Sequence, residues 1–194
     1  MVTRFASVAV VLGLCGCLIS CSTAPPTQAK LDRLDRMSAD TLTRFQQVDP
    51  SLTPVLDKAA GWAVFPTVGE GAVGLGGVYG RGEVWVHNKL VGYCDVSAGT
   101  IGVQLGGDQY MELIVFQNDL ALKRFQTNQW ALAANASAIA AKDGAAAQAS
   151  YADGTIVFTR PISGLIAAAA IGGQKFTYET QAAALESARA EEMR

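Results

Sequence analysis

Apolar positions in this chain keep two different periods, and the change from one to the other divides it. Between Lys30 and Gln47, Leu31, Leu34, Leu42 and Phe45 fall on one helical face, with Asp32, Arg33, Asp35 and Arg36 elsewhere. The pattern predicts an amphipathic helix broken near Ser38 and stopped by Asp49-Pro50, then a second helix from a Ser51 cap to about Lys58. The stripe suits packing on a sheet; a membrane-surface helix is the alternative. From Ala59 the period falls to two. The stretch Ala59 to Gly82 holds an apolar strand, a stop at Pro66 and closely spaced glycines. Each glycine costs a helix about 1 kcal/mol relative to alanine, so the stretch predicts a bent strand.

Strands at 83–87 and 90–98 follow as a hairpin around a turn at Asn88-Lys89, then strands at 100–106 and 109–116. Met111 to Phe116 is nearly continuous in apolar character, which predicts cover on both faces. Asn118 to Gln126 reads as a short helix capped at Asn118 or Asp119. The alanine-rich segment after Trp130 fits either a helix or a tightly packed strand. Thr155 to Thr159 is a strand, Pro161 to Gly164 a turn, Leu165 to Tyr178 further strand, and Thr180 to Arg194 a terminal helix. Leu75-Gly76-Gly77, Leu105-Gly106-Gly107 and Ile171-Gly172-Gly173 each precede an aromatic residue, a device by which barrel-like sheets bend. Bends are expected at Gly76 and Gly106. The fold class is therefore α+β: a curved, mainly antiparallel barrel-like β-sheet with two N-terminal helices, one middle helix and a C-terminal helix.

Ahead of the first helix, Arg4, the apolar run Phe5 to Ile19 and Ser20-Cys21 have the three parts of a secretory signal. Leu18-Ile19-Ser20-Cys21 resembles the lipobox of bacterial lipoproteins, and Leu14-Cys15-Gly16-Cys17 is an alternative with a shorter hydrophobic segment. The expected organisation is a signal peptide over 1–20, lipidation at Cys21 (alternatively Cys17), a tether over 21–29 and one domain over 30–194. Cys94 then remains alone, a buried apolar side chain without a disulfide partner.

Charge and residue chemistry narrow the functions. A formal net charge of −2 leaves no basic excess for phosphate backbones, which excludes nucleic acid as a partner. With His87 the one histidine, beside a turn, no zinc site or Ser-His or Cys-His pair assembles, so no metal, cofactor or enzymatic activity is expected. Gly69, Gly71 and Gly74 satisfy G-x-G-x-x-G, but no helix follows to meet a pyrophosphate.

From about Leu52 to Thr180 the chain resembles the SYLF domain family. The match is carried by DKAAGWAVFPTVGEGAVGLGGVYGRGEVWV, VGYCDVSAGTIGVQLGGDQYMELIVF, NDLALKRFQ, and ANASAIAA with IVFTRPISGLIAAAAIGGQKF. The resemblance implies a non-catalytic, lipid-binding module and tips Ala133 to Ala141 toward strand. For an envelope lipoprotein it implies anionic bacterial phospholipid as partner, with an envelope protein as the alternative. Ser22 rather than Asp after the lipidated cysteine favours the periplasmic face of an outer membrane, as lipoproteins are sorted. The candidate lipid contacts are Lys58, Arg81 between two glycines, and Lys89 in the expected turn, with Arg33 and Arg36 as outer contacts.

Overall fold

The structure, a computed structural model, describes residues 23–71, 75–101, 109–128, 130–132, 138–163 and 173–193. Helix α1 (Gln28–Val48) runs unbroken through Ser38. Ser38 and Thr41 are buried with Leu31, Leu34 and Phe45, so two small hydroxyl residues continue the buried stripe where the apolar series lapses. Helix α2 (Leu52–Lys58) follows at a corner.

The strands are β1 (Gly61–Gly71), β2 (Leu75–Val86), β3 (Lys89–Ile101), β4 (Gln109–Phe116), β5 (Ile139–Ala140), β6 (Thr155–Ser163) and β7 (Lys175–Thr180). Between them lie α3 (Asp119–Gln126) and α4 (Ala145–Gln148), and α5 (Gln181–Glu192) ends the chain. All strands join one curved, unclosed sheet in the order β5-β6-β4-β1-β2-β3-β7. Among the described residues only the short β5–β6 pair is parallel. The expected α+β class and its antiparallel character hold, and β5 and β7 are left as edges.

Several boundaries differ from the sequence reading for stated reasons. Pro66 does not stop β1, and Pro161 does not turn the chain out of β6. At each proline, which lacks the ladder N–H, the register slips instead: between Val64 and Thr67 on β1, and between the pairs Gln109–Ser163 and Tyr110–Pro161. Beyond the slip in β1, Val68 rather than Thr67 returns to the face of Ala63 and Phe65. The β2–β3 turn is His87-Asn88, with φ of 48° and 61°, the left-handed pair that matches hairpin twist. Lys89 opens β3 instead of sitting in that turn. Strand β3 continues through Gly99 without interruption. Gly76 pairs with Thr100 in regular register, while Gly106 and residues 133–137 lie outside the described residues.

The central strands are buried on both sides. Trp62, Val64, Leu113, Val115, Ile156 and Phe158 pack with Phe45, Leu52 and Leu56 under the N-terminal helices. Ala63, Phe65, Ile114, Phe116 and Val157 face the other way, toward α3. There Phe116, Phe125, Trp130 and Phe176 form a ring cluster with centroids 5.0 to 6.2 Å apart. Phe65 tilts against Phe176 of this cluster at 5.9 Å, and position 82 is held to glycine because a Cβ there would stand 2.6 Å from a Phe65 ring atom and 2.5 Å from the Val64 carbonyl. Near the edge, Leu31 and Leu34 of α1 meet Tyr93, Ala184 and Ala188. Cys94 is fully buried, as expected for an apolar filler.

Two carboxylates are buried within these layers. On the α1 side, Glu83 accepts from Trp85 Nε1 at 3.3 Å. Burial above all, with Asp35 adding repulsion, pushes its carboxyl up to about 7 against the pull of the Trp85 hydrogen bond. On the α3 side, Glu112 accepts from Gln174 Nε2 at 3.0 Å, and burial again raises it to about 7. A third, Asp49, works in the opposite sense. Its carboxylate accepts from Ser51 N at 3.1 Å and Ser51 Oγ at 2.5 Å, and across the chain from Gly144 N at 3.1 Å and Ala146 N at 2.6 Å. Burial acts to raise its pKa, but these hydrogen bonds outweigh it and hold the carboxyl below 3.8. Asp49 thereby pins the α1–α2 corner to the start of α4.

Asp49→Ala is expected to cost about 3 kcal/mol, since it leaves the buried Ala146 N–H and the part-buried Ser51 and Gly144 N–H groups without their acceptor; urea unfolding with an unchanged midpoint would refute the clamp. Glu83 and Glu112 set a pH dependence whose sign follows from their raised values. The folded protein keeps protons there that the unfolded chain releases near 4.5, so stability falls as pH rises from about 5 through 7. Asp49 contributes only at lower pH, where its stabilisation is lost as pH falls through its depressed value. Thermal melts should therefore show a lower Tm at pH 8 than at pH 5, with Glu112→Gln flattening the slope. A flat or rising wild-type profile over that range contradicts this.

Candidate functional site

Where the α1–α2 corner meets the β2–β3 turn, the fold leaves a cleft of about 290 Å³. Leu42 of α1, Leu56 of α2, Ala59 and Trp62 supply its apolar wall. Gln46, Asp57, His87 and Asn88 supply its polar groups. The elements converge for separate reasons. Leu56 is buried against β1 and so places Asp57 at the rim; the Trp62–Trp85 pairing brings the end of β2, and hence its turn, alongside the start of β1. Gln46 Nε2 donates to Thr53 Oγ1 at 3.3 Å, tying the last turns of α1 to α2. The indole N–H of Trp62 is buried with no acceptor.

The sequence candidates divide around this cleft. Lys58 and Lys89 each adjoin a lining residue, Asp57 and Asn88 respectively, and both are exposed. Neither lysine has a side-chain hydrogen bond or ion pair within the described residues, and the same is true of Asp57, His87 and Asn88. Arg81 is elsewhere, about 20 Å up β2 from the turn at the usual rise per residue. Its Nε stands 3.3 Å from Asp95 Oδ1, the cross-strand partner, without hydrogen-bond geometry. The Tyr79 hydroxyl donates to the same oxygen at 3.2 Å, and the guanidinium lies 6.0 Å from the Tyr79 ring centroid. Burial raises Asp95 to about 6 although Arg81 pulls the other way. Arg33 and Arg36 are exposed on the first half of α1; Arg36 is about 15 Å along the helix from Gln46. Cys17 and Cys21 lie outside the described residues.

Gln46, Asp57, His87 and Asn88 were not singled out from sequence as binding residues. Asp57 and His87 had a visible signal only in their position beside a candidate lysine and at a turn. Their convergence depends on a corner and a hairpin far apart in the chain.

The cleft shares one end of the sheet with the start of the described chain. Ala24 N donates to Glu179 at 3.1 Å, and Glu179 pairs with Tyr93, about 13 Å along β3 from Lys89. Among the described residues no helix is long and apolar enough to cross a membrane, and no group of metal-ligating side chains forms.

Residues 97–184 match the family model described as "Ysc84: Las17-binding protein actin regulator". The chain is also similar to Beta cell expansion factor A of Aeromonas veronii, with 26% identity over 161 residues, which cover 78% of this chain. The aligned part is 59% of that relative's length. The matched segment, from late β3 into α5, makes that part of the chain similar to the Ysc84, or SYLF, domain family, a family known for lipid binding.

Proposed function

We propose that this chain is a non-catalytic envelope lipoprotein, anchored through Cys21, whose SYLF domain binds anionic phospholipid at the periplasmic face of an outer membrane. The observation that carries the lipid reading is the pair of unpartnered, exposed lysines, Lys58 and Lys89, on either side of a cleft. An exposed cation near an anionic membrane contributes about 1 kcal/mol, so two act at the level of roughly tenfold to thirtyfold in affinity. Arg81 contributes less in this reading, because Asp95 already compensates its charge. The anchor reading rests on the lipobox ending at Cys21 and on the position of Ala24 at the cleft's end of the sheet. A chain held there needs only weak contacts, since tethering raises the local lipid concentration.

Two experiments check these readings. In cells given a labelled acyl chain, the label should be lost from Cys21→Ser; persistence there with loss from Cys17→Ser would move the anchor. For the domain, a chain beginning after Cys21 should float with anionic liposomes and not with neutral ones. Lys58→Glu with Lys89→Glu should weaken that flotation by at least tenfold, whereas Arg81→Glu should change it by less than threefold. Equal flotation on neutral vesicles, or an unaffected double variant, overturns the lipid site.

A further inference from the structure

We infer that the cleft between the α1–α2 corner and the β2–β3 turn is a head-group subsite for a phosphoglycerol, a phosphate ester carrying a small polyol. The inference rests on the anionic-lipid reading and names the head group that the same site selects. Phosphate alone does not fit the polar groups present. Asp57 lines the cleft as an acceptor with no partner in the protein, and a bare phosphate beside it meets like charge. A hydroxyl donates to that carboxylate instead. Gln46 and Asn88 present amides that both donate and accept, and His87 adds an imidazole. Vicinal hydroxyls, which also donate and accept, answer this set; the phosphate then remains at the rim, within the field of Lys58 and Lys89.

Competing head groups match less well. An ethanolamine ammonium pairs with Asp57 but leaves the amide donors without acceptors. A serine head group brings a second carboxylate into the space that holds Asp57. Size agrees with the polyol. A volume of 290 Å³ holds roughly ten water-sized groups, enough for the about six non-hydrogen atoms of a glycerol whose phosphate stays at the rim.

The test uses the full protein purified from membranes in a neutral detergent, read by tryptophan fluorescence, because Trp62 forms part of the wall. The probes are dihexanoyl phosphatidylglycerol, dihexanoyl phosphatidylserine and free glycerol phosphate. The expected result is about tenfold tighter binding of the glycerol lipid than of the serine lipid, the effect of one charged hydrogen bond. That preference should vanish in Asp57→Asn, which alters an exposed residue with no intramolecular partner, and persist in Glu186→Gln, which makes the same charge change on α5. Equal affinity for both lipids overturns the subsite while leaving an anionic membrane site standing. Binding of free glycerol phosphate that needs Asp57, with neither lipid bound, keeps the subsite and removes the membrane. A protein that binds none of the three removes both.

Discussion

Strands β1 and β4 are apolar on both faces, and that constraint arranges everything else in the molecule. From Gly61 to Pro66 every residue of β1 is buried, and in β4 the same holds from Tyr110 to Phe116. A sheet with such a centre needs a layer on each side. Helices α1, α2 and α4 supply one, and α3 with the cluster around Phe125 supplies the other. The sheet that carries these strands is curved, and on the α3 side one short helix and a ring cluster cover it. The polar residues kept inside these layers, Glu83 and Glu112, sit where burial favours their protonated forms. A neutral carboxyl in such a layer removes most of the desolvation penalty that a charge there would carry.

The covering layer on the α1 side also makes the site. α1 and α2 could pack on the sheet at many mutual angles, since apolar contact is not directional. Asp49 removes that freedom by capping the turn into α2 and the start of α4 with one carboxylate. The corner so fixed stands a set distance from the β2–β3 turn, and the gap between them is the cleft. An empty space of this kind is stable because its walls belong to elements held elsewhere: Leu56 by the core, His87 and Asn88 by the left-handed hairpin geometry.

Much of this was legible in the residues. The period of α1, the apolar run of β4, the Asn118 cap of α3 and the buried Cys94 all follow from local pattern. What was missed was missed for physical reasons. Ser38 and Thr41 interrupt an apolar series without interrupting a helix, because a small hydroxyl residue fits within the stripe, in the case of Ser38 at the cost of a buried Oγ without a hydrogen bond. Pro66 and Pro161 read as stops because proline cannot donate to a ladder, yet a register slip lets each strand continue past that missing donor. For the site, Lys58 and Lys89 were visible as exposed cations, but Arg81 was not separable from them. The register that sets Asp95 opposite Arg81 depends on where the hairpin turns, and a shift of one residue in that turn changes which side chains face each other. The cleft itself carries no local signal at all, since Gln46, Asp57 and Asn88 become neighbours only after the corner and the hairpin have formed.

Local charge, not net charge, decides what such a surface attracts. The chain is slightly acidic as a whole, and at physiological salt fields beyond about 8 Å are screened. Asp32 and Asp35 line a second cleft between α1, β3 and α5, with Asp35 about 16 Å along α1 from Gln46. Arg44 is paired with Asp40 at 2.7 Å and Arg81 with Asp95, so each is largely neutral as seen from outside. Lys58 and Lys89 have no such partner among the described residues and stand at one end of the sheet, the end shared with the start of the described chain. A protein fixed to a surface by its N-terminus presents that end first. Under the proposed anchor, two weak cations and a small polar cleft would suffice for selectivity, because the energy of attachment would not have to come from them.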